Sequence, residues 1–183
     1  MSHVADALSL ARALLALPLV WALVSDAPVT ALVVLGLAVG SDVLDGRLAR
    51  RAATSADGTA QASAAAGPSG GARRRRGAYL DVCADAVFLL AGLTALWALG
   101  RLPVWLPLVA TLMLARFFLT SPSSSGLRYD SIGRHYGSML YAVLAVWLLG
   151  ASDPAKQAAL VVVAIVTAVA LVGRTRCLRP ATR

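Results

Sequence analysis

Apolar residues dominate six stretches of the chain, and most charged residues lie between or beyond these stretches. The six stretches run from Ala5 to Val24, Val29 to Leu44, Ala78 to Leu99, Leu102 to Thr120, Gly137 to Leu149 and Ala155 to Val172. Several approach the roughly 20 apolar residues that an α-helix needs to cross a bilayer. The pattern predicts an all-α, polytopic integral membrane protein with about six transmembrane helices, built as a single domain over residues 1–183.

The composition supports this interpretation and excludes two other classes of protein. Hydrophobic residues make up 58% of the chain, charged residues make up 14%, and the mean hydropathy is +0.73. Soluble domains carry about 25% charged residues, so an ordinary soluble domain is excluded. Disordered chains have low hydrophobicity, so a disordered chain is excluded as well.

The basic residues are distributed unevenly between the two sides of the predicted bundle. Thirteen of the 17 lie after the second, fourth and sixth stretches, whereas only Arg101 and Lys156 lie in the alternate loops. Loops rich in Arg and Lys stay in the cytoplasm, so the N- and C-termini are predicted to be cytoplasmic. The net charge of +8 is thereby explained without a nucleic-acid partner, and none is expected.

A low-complexity segment rich in Ala, Ser and Gly separates the second and third stretches. It ends in four consecutive arginines, Arg73 to Arg76. Such a composition is typical of flexible segments. We therefore expect a flexible cytoplasmic insert at about residues 52–76.

Four aspartates lie at the ends of two neighbouring stretches, on the same side of the predicted membrane. Asp42 and Asp45 close the second stretch, and Asp81 and Asp85 open the third. Residues three or four apart share one face of a helix, so each pair is predicted to converge. Converging carboxylates repel one another unless a cation is present, and hard divalent ions prefer oxygen ligands. The pattern predicts a site for Mg²⁺ or Mn²⁺, with two ions expected because four carboxylates can hold two.

Small and basic residues flank these aspartates. Gly46, Ala49 and Gly77 leave room for a ligand to approach the backbone closely, and Arg50 supplies a fork of donors suited to phosphate. Two metal ions and an arginine form a clamp for a diphosphate. At a membrane surface, this combination indicates a nucleotide-activated lipid as the substrate.

The chain resembles the CDP-alcohol phosphatidyltransferase family. The signature of that family is D-x2-D-G-x2-A-R, a spacer and G-x3-D-x3-D, and its eight positions are matched here by Asp42, Asp45, Gly46, Ala49, Arg50, Gly77, Asp81 and Asp85. The stretch from Leu8 to Pro18 also resembles the first helix of the family, which carries a buried arginine at the position of Arg12.

The resemblance implies an enzyme of phospholipid biosynthesis that is embedded in the lipid bilayer. It would transfer a phosphatidyl group from CDP-diacylglycerol to an alcohol acceptor and release CMP. Asp42, Asp45 and Asp81 would bind the metals, and Asp85 would be both a metal ligand and the general base on the acceptor hydroxyl. Gly46, Ala49, Arg50 and Gly77 would contact the CDP-lipid. The expected location is the bacterial inner (plasma) membrane, with the active site facing the cytoplasm and a homodimer as a possible assembly.

Two departures from the family pattern bear on the substrates. The spacer between Arg50 and Gly77 has 26 residues, where the family usually has about eight, and Ala86 stands where many phosphatidylglycerophosphate and cardiolipin synthases carry Lys. The acceptor therefore stays open. Arg116, Arg128 and Arg134 are candidates for binding the acceptor or a phosphate, which slightly favours a phosphorylated alcohol such as glycerol 3-phosphate or inositol phosphate. Arg12 could pair with the carboxylates or with a phosphate.

Two alternatives to the enzyme compete with this interpretation. A non-catalytic relative is disfavoured because all eight signature positions are retained. A small ion- or proton-translocating protein is disfavoured because its acidic residues would be spread through the depth of the membrane. Here they lie at one interface.

Overall fold

A computed structural model describes residues 2–56, 68–120 and 133–177 of the chain. Within these ranges all regular secondary structure is α-helical, which confirms the predicted all-α class, whereas six membrane spans and cytoplasmic termini stay predictions. The helices are α1 (Ser2–Leu14), α2 (Ala16–Val24), α3 (Pro28–Ala56), α4 (Pro68–Ala98), α5 (Trp105–Thr120), α6 (Gly133–Leu148) and α7 (Asp153–Cys177).

Each of the six predicted apolar stretches lies mainly in helical structure, and the fourth begins three residues before α5. Three of them are long and apolar enough to cross a membrane, namely Ala7–Val24, Tyr79–Ala98 and Asp153–Leu171. Three shorter apolar helices cover Pro28–Ser41, Trp105–Leu119 and His135–Leu148. Large apolar side chains such as Leu17, Val29 and Leu119 are exposed on the outside of the bundle. A surface of this kind is suited to lipid, and the chain is an integral membrane protein.

The first apolar stretch forms two helices, α1 and α2, rather than one. Leu15 separates them, although its amide still donates to the Ala11 carbonyl and its own carbonyl accepts from Leu19. The cause is Pro18, which has no amide hydrogen to donate to the carbonyl of Leu14, four residues earlier. The chain therefore continues through Leu15 with a local irregularity in an otherwise helical span.

Helix α4 is central to the packing, since it contacts α1, α2, α5 and α6. The core around it contains fully buried side chains from several helices, including Leu19, Phe88, Leu93, Leu106 and Leu144. Helix α7 packs mainly on α6. The position of α4 matters for function because the middle of this helix carries Asp81 and Asp85.

The opposite end of α4 reaches a cluster of short connections that we call the turn end. The helices α2, α4 and α6 are each followed by a residue with positive φ, namely Asp26, Gly100 and Gly150. In each case the next amide donates back to a carbonyl five residues earlier, as in a Schellman turn. Arg101 Nη2 donates to Asp26 Oδ1 at 2.8 Å, and Trp147 Nε1 donates to the Arg101 carbonyl at 2.6 Å, so the three turns are joined.

The other end of the bundle, which we call the aspartate end, carries Asp81 and Asp85. Here α3 continues to Ala56 and α4 begins at Pro68, so both helices extend beyond the apolar stretches predicted from the sequence. Of the expected insert, residues 52–56 and 68–76 are helical, and residues 57–67 lie outside the described ranges. The flexibility of the insert therefore stays a prediction.

Gly92 lies where α4 packs tightly against Leu19 of α2 and Leu144 of α6. A Cβ added there would lie 3.0 Å from Leu19 Cδ2 and 3.2 Å from Leu144 Cδ1, and both leucines are fully buried. We expect Gly92→Ala to lower the free energy of unfolding by about 1–3 kcal/mol, the usual cost of overpacking a core. Unfolding in mixed detergent micelles would measure it. Gly36→Ala is the matched control, since nothing lies within 4 Å of its added Cβ. Equal stability of the two variants would contradict this account of the packing.

Candidate active site

Asp81 and Asp85 lie one turn apart on the same face of α4, as the spacing predicted. Their side chains are 43% and 31% exposed, so both can be reached by a ligand. Gly77, which the sequence places among the residues that contact the lipid nucleotide, lies one turn before Asp81 on the same helix and is partly buried. This face of α4 therefore combines two accessible carboxylates with a residue that has no side chain.

Arg12 from α1 bridges the two carboxylates and is itself completely buried. Its Nη1 atom donates to Asp81 Oδ1 at 3.0 Å and to Asp85 Oδ1 at 2.7 Å. Of the two partners left open for Arg12 by the sequence, the structure shows the carboxylates. A buried guanidinium is costly without partners, and adjacent carboxylates repel one another, so each group offsets the cost of the other.

Two serines extend this network to the neighbouring helices. Ser9 Oγ donates to Asp81 Oδ1 at 3.3 Å, one turn before Arg12 on α1. Arg12 Nε donates to Ser41 Oγ at 3.2 Å, and Ser41 Oγ donates to the Ala38 carbonyl at 2.7 Å. Ser41 directly precedes Asp42 on α3. Arg12 therefore connects α3, next to the first aspartate pair, with both aspartates of the second pair on α4.

Tyr141 from α6 completes the described network. Its hydroxyl donates to Asp85 Oδ1 at 3.0 Å, and its ring stacks on Phe88 with a centroid distance of 5.8 Å. Sequence reasoning missed Tyr141, Ser9 and Ser41. Each carries a hydroxyl group inside or beside an apolar stretch. A hydroxyl in such a place needs a hydrogen-bond partner, and this need was the signal that could have identified these residues.

The carboxylate oxygens of this site are suitable ligands for a hard divalent ion. Every contact described above for Asp81 and Asp85 uses Oδ1, and neither Oδ2 accepts a hydrogen bond from the part of the chain that the structure describes. Among the described residues, one oxygen of each carboxylate thus has no hydrogen-bond donor, and Mg²⁺ and Mn²⁺ prefer such oxygens. Among the described residues no cluster of three or more Asp, Glu, His or Cys side chains that could hold a metal is present.

The first aspartate pair and the signature residues after it belong to helix α3. These residues are Asp42, Asp45, Gly46, Ala49 and Arg50. Their side chains are outside what the structure describes. The convergence of all four aspartates, and the contacts of these residues with a nucleotide, stay predictions.

The three arginines expected to bind the acceptor or a phosphate fall into different situations. Arg116 Nη2 donates to the Leu171 carbonyl at 3.2 Å, which ties α5 to α7. Arg134 is the second residue of α6, with a side chain outside the description, and Arg128 lies outside the described residues altogether. A role in binding the acceptor stays a prediction for all three.

Comparison with known proteins gives a match to a protein family. No curated protein and no solved structure gives a significant match to the chain. A family model matches residues 2–61, which contain Arg12 and the first five signature positions and end before Gly77, Asp81 and Asp85. The match supports a transferase of the kind used in phospholipid synthesis. The matching model is that of the CDP-alcohol phosphatidyltransferase family, the same family that the motif resembles.

Proposed function

We propose that this protein transfers the phosphatidyl group of CDP-diacylglycerol to an alcohol and releases CMP. One observation carries the proposal. Asp81 and Asp85, two accessible carboxylates, are gathered on the buried Arg12 at one end of an apolar helical bundle. The family match over residues 2–61 supports the same chemistry.

The proposed topology has six membrane spans, with both termini and the active site on the cytoplasmic side of a bacterial inner membrane. Three apolar segments of 18–20 residues have the length that a span needs, and the shorter apolar parts of α3, α5 and α6 would supply the other three spans. The excess of arginine in the segments at the aspartate end supports the orientation. The proposal also includes a homodimer, on the strength of the family resemblance alone.

Asp42, Asp45, Asp81 and Asp85 would together hold two Mg²⁺ or Mn²⁺ ions. When bound there, such ions neutralise the charge of a diphosphate and polarise its phosphoryl oxygens. The donor set supports this assignment, because Asp81 and Asp85 each keep one carboxylate oxygen that no described residue uses. Arg12 holds the other oxygens and limits the repulsion between the carboxylates.

The transfer is a displacement at the β-phosphorus, which carries the diacylglycerol group. Asp85 accepts the proton of the acceptor hydroxyl while the hydroxyl oxygen forms a bond to phosphorus. The bond from this phosphorus to the bridging oxygen breaks, and CMP leaves with the electron pair. Arg50 donates to the phosphate oxygens, and Gly46, Ala49 and Gly77 let the nucleotide approach the helices closely.

A phosphorylated alcohol is the proposed acceptor, because Arg116, Arg128 and Arg134 supply positive charge beyond that of the metal site. The test uses purified full-length protein in lipid nanodiscs, supplied with CDP-diacylglycerol and Mg²⁺. Glycerol 3-phosphate, inositol phosphate and serine are offered separately, and CMP release is measured. Release with a phosphorylated alcohol is expected. Release with serine alone would overturn the acceptor preference, and no release with any acceptor would overturn the transferase.

Removal of divalent ions is expected to abolish CMP release. Without a cation the diphosphate would meet the four aspartates directly, and repulsion between like charges would exclude it. Activity is measured before and after addition of a chelator, then again after Mg²⁺ or Mn²⁺ is restored. Recovery on restoring the ion is the expected result. Activity that persists in excess chelator would contradict the metal assignment.

A further inference from the structure

We propose that Tyr141 is a positioning residue for Asp85, an inference that rests on the proposed function. The Tyr141 hydroxyl and the Arg12 guanidinium both donate to Asp85 Oδ1, at 3.0 Å and 2.7 Å. Together they hold one oxygen of the carboxylate, labelled Oδ1, and leave the second oxygen without a described donor. Asp85 Oδ2 is thereby kept as the oxygen that serves the divalent cation and the acceptor.

Arg12 alone does not fix the orientation of the Asp85 carboxylate. Its Nη1 atom is shared between Asp81 Oδ1 and Asp85 Oδ1. A guanidinium can also bind both oxygens of one carboxylate, because its donors match that geometry. A rotation of the Asp85 carboxylate would then turn Oδ2 toward Arg12. A second donor at Oδ1, approaching from α6 rather than from α1, opposes that rotation.

The Tyr141 hydroxyl is itself held in place by packing. Its ring stacks on Phe88, with an interplanar angle of 25°, and Phe88 is fully buried. Phe88 follows Asp85 by three residues on α4, so one helix supplies both the carboxylate and the surface that holds the tyrosine ring. A hydroxyl fixed in this way orients its acceptor without further loss of side-chain freedom.

A structural role and a positioning role for Tyr141 predict different results. If the hydroxyl only satisfied a buried polar group, its removal would alter stability and leave cation affinity unchanged. If it positions Asp85, its removal weakens cation binding and lowers the turnover number. Partners that orient metal ligands typically contribute about 10–100-fold to metal affinity or activity.

The experiment compares Tyr141→Phe with Tyr136→Phe in full-length protein in nanodiscs. Tyr141→Phe keeps the ring that stacks on Phe88 and removes only the hydroxyl. Tyr136 lies on the same helix and its hydroxyl accepts from Thr167 Oγ1 at 3.3 Å, away from the carboxylates, so it controls for loss of a buried hydroxyl. Mn²⁺ affinity is measured by electron paramagnetic resonance without CDP-diacylglycerol. The kcat and KM for CMP release, and the unfolding temperature, are measured separately.

For Tyr141→Phe we expect Mn²⁺ affinity to fall by about 10–100-fold, and kcat measured at saturating Mn²⁺ to fall by a similar factor, with the KM for CDP-diacylglycerol unchanged at that Mn²⁺ concentration. The control is expected to keep the wild-type affinity. Unchanged Mn²⁺ affinity in an active Tyr141→Phe variant would overturn the inference and leave the proposed function standing. If wild type binds Mn²⁺ but releases no CMP, the proposed function fails, and a loss of affinity confined to Tyr141→Phe still supports the positioning of Asp85. A wild type that binds no Mn²⁺ overturns both.

Discussion

Replacing Asp85 by asparagine is expected to reduce CMP release from CDP-diacylglycerol by about 10²–10⁴-fold, the usual contribution of a general base. An amide has nearly the shape of the carboxylate, but it cannot accept the proton of the acceptor hydroxyl. The amide oxygen can still accept from Arg12 and Tyr141, so the fold is expected to survive. Binding of the nucleotide-lipid is expected to survive in part, because Asp42, Asp45 and Asp81 remain.

The measurement pairs the rate of CMP release with the binding of CDP-diacylglycerol to the same preparation. Asp26→Asn is the matched control, because Asp26 lies at the turn end and pairs with Arg101 there. Its positive φ of 52° is tolerated by asparagine. The control is expected to retain activity. Turnover close to wild type in Asp85→Asn would contradict the assignment of Asp85 as the base.

Replacing Arg12 by methionine is expected to have the largest effect on stability. The change leaves Asp81 and Asp85 facing each other without their shared cation, and loss of one partner from a buried ion pair costs about 3–5 kcal/mol. Because both carboxylates are partly exposed, the lower end of this range is expected. Unfolding in mixed detergent micelles measures the effect. Arg12→Lys keeps the charge but lacks the Nε donor to Ser41, so an intermediate stability is expected.

Arg101→Met provides the comparison for this experiment. Arg101 also forms an ion pair with an aspartate, but its side chain is 46% exposed and that of Asp26 is 74% exposed. Exposed pairs contribute about 0–1 kcal/mol, so a small change is expected. The Trp147 bond to the Arg101 carbonyl does not depend on the replaced side chain. Equal losses of stability in Arg12→Met and Arg101→Met would show that burial of Arg12 between the carboxylates does not stabilise the fold.

The sequence predicted the positions of the apolar helices well and their ends less well. Hydropathy marks where a helix meets lipid, whereas a helix continues for as long as its residues favour helical structure. Alanine and arginine are strong helix formers, so α3 runs on to Ala56 and α4 includes Arg73 to Arg76. The irregularity at Leu15 follows from Pro18, whose effect on the helix depends on its local surroundings.

The candidate site was predictable only where it depends on local spacing. The four-residue spacing of Asp81 and Asp85 was sufficient to place them on one face of α4. Tyr141 is 56 residues from Asp85, and Ser9 is 72 residues from Asp81, so these contacts depend on how the helices are rotated against one another. Hydrophobic periodicity is weak in a helix that is apolar on most sides, and the sequence alone therefore did not reveal these partners.

The proposed chemistry depends on aspartates from α3 and α4 gathering around divalent ions. Diffraction at the manganese absorption edge, from crystals of the full-length protein grown with Mn²⁺ and CDP-diacylglycerol, would locate those ions. We expect two anomalous peaks in contact with carboxylate oxygens of Asp42, Asp45, Asp81 and Asp85, next to the diphosphate. Aspartates of α3 turned away from those of α4, with no manganese between them, would contradict it.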